Sequence, residues 1–119
     1  MTSQDPLLDR LRKFCLALPE TTEKSSWGHP AFFAGKKTFV AFEQVQGKPS
    51  IAFRVAPGES ARLLSRRQFF ETPYGRGQWV SVWADAPLDW TLVDDLLRRS
   101  YRTVALKRML AALEPRSAR

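Results

Sequence analysis

The chain has 119 residues, a formal net charge of +7 and 44% hydrophobic residues, including four Trp and eight Phe. That is the length of one domain with ample material for a core, which excludes a disordered chain and a chain of several domains. One cysteine excludes an internal disulfide, and no run of about 18 apolar residues offers a membrane-spanning helix. The opening MTSQDPLLDR lacks the basic start and apolar segment of a secretory signal, so a cytoplasmic protein is expected.

The first helix is expected to start at Asp5-Pro6, an acid at the cap with proline at the first helical position. Leu7, Leu8, Leu11, Phe14, Cys15 and Leu18 form one apolar stripe, and Pro19 ends it. Cys15 within that stripe reads as a small buried hydrophobe rather than a reactive thiol. Glu23 to Trp27 then alternate as an edge strand, and Gly28-His29-Pro30 interrupts. AFFA and KTFVAF flank Gly35-Lys36, a two-residue hairpin with glycine first, as a type II′ turn wants. Phe39 and Ala41 are expected on one face of a central strand, with Val40 and Phe42 on the other.

VQGKP forms a second turn before the strand SIAFRV, and ESARLLSRR makes a short helix that buries Leu63 and Leu64. A glycine-rich loop, PYGRGQ, separates FFE from WVSVWA. In that last strand Trp79, Ser81 and Trp83 face one way and Val80, Val82 and Ala84 the other. Pro87 breaks the strand and Asp89 caps a helix carrying Trp90, Val93, Leu96 and Leu97 on its apolar stripe. On the opposite stripe Asp94–Arg98 and Asp95–Arg99 sit at i, i+4 and neutralise one another. SYRTV is expected to bend the chain. ALKRMLAAL follows as a last helix with Leu106, Met109, Leu110 and Leu113 inward and Lys107 and Arg108 outward. The order α-β-β-β-β-α-β-β-α-α predicts a two-layer α+β domain, a largely antiparallel sheet with helices on one face. The ordered core runs over about 5–113 and a basic tail over 114–119.

Little here looks catalytic. The chain has one His and one Cys, with no HExxH, no CxxC, no phosphate-binding glycine loop and no nucleophile elbow. No enzyme, no cofactor and no metal site are expected. His29, between glycine and proline, reads first as a turn residue. The aromatics read mainly as core, with Tyr74 in the glycine-rich loop as the exception.

The basic residues carry more information. Residues 1–60 hold 8 Lys and Arg against 6 Asp and Glu, whereas residues 61–119 hold 11 against 6. Lys36 and Lys37 mark the first hairpin tip, Lys48 the second, Arg76 the glycine-rich loop and Lys107-Arg108 the start of the last helix. Hairpins with basic tips can straddle a duplex as wings do, gripping phosphates without reading sequence. Two other readings stay open. One is a protein-interaction adaptor acting as a homodimer. The other is a binding module in which Trp27, His29 and Tyr74 line a pocket for a small anion.

The ordered pieces LALPETTE, WGHPAFFAGKKTFVAF, YGRGQWVSV and DWTLVDDLLRRSYRTVALKRMLAAL together resemble the MmcQ/YjbR family, from about Leu7 to Leu113. The resemblance implies a two-layer "double wing", similar in shape to secretion chaperones and frataxin-like folds, and a DNA-binding role. It also implies that Trp27, Gly28, His29, Pro30, Gly35, Lys36, Tyr74, Gly77 and Trp79 are motif positions, followed by Ser100, Tyr101, Arg102, Lys107 and Arg108. Leu106 stands where family members often carry proline, which loosens the start of the last helix.

Overall fold

The computed structural model describes residues 6–26, 28–56, 58–73 and 78–117, with side chains described up to residue 113. In chain order these form α1 (Pro6–Leu16), β1 (Thr21–Ser26), β2 (His29–Ala34), β3 (Lys37–Val45) and β4 (Lys48–Arg54). Then come α2 (Glu59–Leu64), β5 (Phe69–Glu71), β6 (Trp79–Trp83), α3 (Trp90–Val104) and α4 (Lys107–Ser117). The strands make one sheet in the order β1-β2-β3-β4-β6-β5, with every neighbouring pair antiparallel. The order of elements, the central place of β3 and the α+β class are therefore as the sequence predicts.

Local chemistry explains the corners. Gly35 has φ +64° at the β2–β3 turn, and Gln46 and Gly47 have φ +54° and +78° at the β3–β4 turn. Such tight turns need left-handed residues to match the twist of the strands. Asp89 caps α3, accepting from the amides of Thr91 and Leu92 at 3.1 and 3.3 Å. The α3 stripe then buries Val93, Leu96, Leu97 and Tyr101.

All four helices contribute to one core on one face of the sheet. Leu11, Leu63, Leu97 and Met109 meet Phe32, Val40, Phe42, Ile51, Phe53, Val80 and Val82 there. Two polar ties fix the frame around this core. Arg12 of α1 forks onto Glu23 of β1, and the Tyr101 hydroxyl donates to the Pro19 carbonyl at 2.7 Å. Cys15 is fully buried, and desolvation pushes its thiol pKa far up, with the charges of Glu23 and Asp94 adding to the effect.

Several expectations need correction. Phe39 does not share a face with Ala41: the β2–β3 register shifts at Phe32/Phe33, so Val40 pairs with Phe32 while Thr38 pairs with Phe33. Phe39 is the extra residue of this β-bulge and turns into the helix-side core, edge-on to Tyr101 at 5.5 Å. Strand β2 already begins at His29, and SYRTV continues α3 through Val104 instead of bending. The bend comes at Ala105, whose φ and ψ are −67° and 145°. Leu106 is 51% exposed rather than inward, because its carbonyl opens α4 by accepting from Met109 and Leu110. Of the α2 pair, Leu63 is buried and Leu64 only half-buried.

Candidate functional site

The sheet face away from the helices carries a different residue set. Pairing fixes it: Ala31, Ala41 and Ala52 align across β2, β3 and β4, and Arg54 lies opposite Trp79 across β4 and β6. Three alanines in a row leave the sheet backbone barely covered, and larger side chains stand around them. The result is a concave bowl of about 530 Å³ floored by Ala31 and Ala41. Trp79 and Arg54 wall one end, and Ser26, His29 and Glu43 the other.

Arg54 is the unusual member. Its ε-nitrogen donates to the Thr38 carbonyl at 2.9 Å and its guanidinium lies over the Trp79 ring, 5.0 Å from the centroid. The residue is half-buried, and desolvation draws its pKa below the ordinary value, while a guanidinium stays charged at neutral pH regardless. Among the described residues no carboxylate pairs with it. Two further cations cap aromatic rings on the same face: Lys24 over Phe33 at 5.3 Å and Lys48 over Trp83 at 5.5 Å. Trp83 in turn stacks on Phe70 at 4.0 Å. Ring faces attract cations, so these pairs both cover apolar surface and hold positive charge over it.

Of the six cations expected to grip DNA, the five within the described residues divide between two ends of the molecule. Gly35 donates its amide to the Glu20 carbonyl, and a Cβ on Gly35 would lie 2.8 Å from Met109 Cε. The β2–β3 turn therefore sits against α4, which brings Lys36, Lys37, Lys107 and Arg108 to one end. Arg108 is already engaged there, donating to both Glu20 oxygens at 2.8 and 2.7 Å. Lys48 lies at the far end of β3, roughly 26 Å away for eight strand steps. There it shares a cleft with Arg66, Arg67, Asp85 and Asp89. The two hairpin tips thus point away from each other. Arg76 lies outside the described residues, as do Trp27 and Tyr74 of the expected anion pocket. His29 lines the bowl.

Several cations on the helices are matched by carboxylates. Arg98 and Arg99 meet Asp94 and Asp95 at 3.0 Å each, and Arg62 reaches Glu59 at 3.6 Å. Among the described residues no cluster of three His, Cys, Asp or Glu could hold a metal ion, and no helix is long and apolar enough to cross a membrane. Sequence reasoning missed Arg54 as a site residue. The signal was present in SIAFRV, where Ser50, Ala52 and Arg54 share one face and only the last is large.

These features define an open-faced α+β domain, with helices packed on one side of an antiparallel sheet and a bowl on the other. The chain belongs to the YjbR family, whose model matches residues 16–103. A Deinococcus radiodurans protein with a DUF419 domain is similar in structure, with a TM-score of 0.71 and 22% identity over 89% of this chain and 86% of its own. A Pseudomonas syringae protein gives 0.68 at 13% identity, over 86% and 98% respectively. At those identities the likeness is one of fold. No curated protein matches the chain. Lys107 and Arg108 lie beyond the stretch that the family model matches.

Proposed function

We propose that the protein binds nucleic-acid backbone without reading sequence, through the end built from the β2–β3 turn and the start of α4. The observation that carries this reading is the meeting there of exposed Lys36, Lys37 and Lys107, for which no ion pair occurs among the described residues. Arg98 and Arg99 on α3 are tied to carboxylates instead and add little net field. Lys48 belongs to a separate end with aspartates nearby and is left out of the footprint. The role is one of binding, not catalysis. A protein adaptor is less well supported, because the exposed large hydrophobics among the described residues are Leu16 and Leu106 alone.

Three phosphate contacts release few counterions, so log K for a duplex should fall with log salt at a slope of about −3. Lys36→Ala with Lys37→Ala should reduce that slope by about 2 on any sequence, whereas Lys48→Ala should leave it unchanged. Fluorescence anisotropy across a salt series measures both. A flat salt response in the parent protein, or an effect of Lys48 equal to that of Lys36, removes this reading.

A further inference from the structure

The bowl on the open face is not absorbed by backbone binding at the lysine end. Its position calls for an account of its own, because it places an unneutralised cation beside an apolar floor. The floor is two alanine methyls side by side across β2 and β3, low enough to take the face of a ring. Trp79, only 8% exposed, gives a rigid side wall. Arg54 is held from behind, through its ε-nitrogen on the Thr38 carbonyl and its face on Trp79. That orientation leaves its terminal nitrogens, the pair that makes a fork, without a partner among the described residues.

We infer that this bowl binds a small planar carboxylate, its oxygens on the Arg54 terminal nitrogens and its ring on the alanine floor against Trp79. Arg54 offers one fork for one negative charge, and Glu43 at the far end of the bowl opposes any further one, which favours a monoanionic carboxylate over a phosphate dianion. A volume of about 530 Å³ suits a ligand of one or two rings. Because Arg54 is partly desolvated before the ligand arrives, little water must be stripped from it on binding. Its held geometry also removes much of the ordering cost.

The test uses benzoate as probe, with benzamide as its uncharged counterpart and inorganic phosphate as a second anion. The readouts are the NMR signals of the Trp79 indole N–H and the Arg54 ε N–H. Benzoate should shift both saturably, with a Kd on the order of 1 mM or tighter, and bind about tenfold or more tightly than benzamide. Phosphate should bind more weakly than benzoate. Arg54→Gln should abolish the saturable shift of Trp79. Arg54→Lys keeps the charge but loses the fork, and should weaken binding several-fold. Ala41→Leu fills the floor without altering charge and should abolish binding while the circular dichroism spectrum is unchanged. No saturation with benzoate, equal affinity for benzamide, or binding that survives Ala41→Leu overturns the inference. Lys36→Ala with Lys37→Ala should leave benzoate affinity intact, so the two proposals fail separately. Displacement of benzoate by duplex DNA would assign Arg54 to the nucleic-acid backbone and end the small-ligand reading.

Discussion

The two faces of the sheet are built from the same strands yet follow opposite packing rules. On the helix side, Phe32, Val40, Phe42, Ile51, Phe53, Val80 and Val82 are large and almost fully buried. On the other side the corresponding central positions are Ala31, Ala41, Ala52 and Ser81, with aromatic rings toward the rim under cations. Large residues are kept where helices cover them, and small ones where no described helix does. Stability and binding are thereby assigned to different faces, so one can be changed with little effect on the other.

The sharpest way to break that separation is a matched pair of substitutions on neighbouring strands, one on each face. Phe53→Ala on the helix side should cost about 3–5 kcal/mol, since a fully buried ring is lost and the helices cannot collapse into its place. Ala41→Leu on the open side should change stability by no more than about 1 kcal/mol, because the added carbons project into the bowl. Urea denaturation of both variants measures the contrast. Comparable losses would mean that the open face is part of the core.

Next in size is the corner where the faces meet the lysine end. Gly35 occupies a left-handed conformation, and a methyl there would press on the Met109 terminal carbon. That carbon is the far end of a flexible side chain and can yield, so the backbone strain dominates. Gly35→Ala should cost about 1–2 kcal/mol and loosen α4, seen as faster amide exchange at Met109. Tyr101→Phe should cost about 1 kcal/mol, because the Pro19 carbonyl loses a part-buried donor at unchanged ring packing. Thermal denaturation should rank the two in that order.

How far the sequence reveals this division depends on whether the signal is local. The Asp89 cap, the paired Asp–Arg steps of α3 and the alternation in Trp79–Trp83 are encoded within a few residues and read correctly. The Phe39 bulge is not, because an inserted residue leaves the alternating pattern of KTFVAF looking regular. The Arg54–Trp79 pair is harder still. It exists only because β6 inserts between β4 and β5, a pairing that neither strand announces alone. The lysine end shows the same limit from the other side. Each cation is visible in the sequence, but the cluster forms only where the β2–β3 turn meets α4, and consecutive hairpins that share β3 turn at its opposite ends, which sends Lys48 away from Lys36.

The smallest expected effect comes from the Glu20–Arg108 pair, and it bears on the lysine end most directly. Glu20 is held in a left-handed conformation, and its carboxylate receives both arms of Arg108. The hydrogen bonds from Arg108 hold its pKa below the ordinary 4.5, with the charge of Arg108 acting in the same direction. A depressed folded-state pKa adds stability that is fully present above the unfolded value and is lost as pH falls through the folded one. The difference in melting temperature between the parent and Glu20→Gln should therefore be slight at neutral pH and shrink away as acidification protonates Glu20 in the folded state. Both groups are solvent-exposed, so salt should screen the difference further. The more telling consequence is for binding. Glu20→Gln frees Arg108 beside Lys36, Lys37 and Lys107, so duplex affinity should rise at low salt and the slope steepen by about 1. An unchanged slope would mean that Arg108 does not face the bound backbone, and that the lysine end is only the cluster of three.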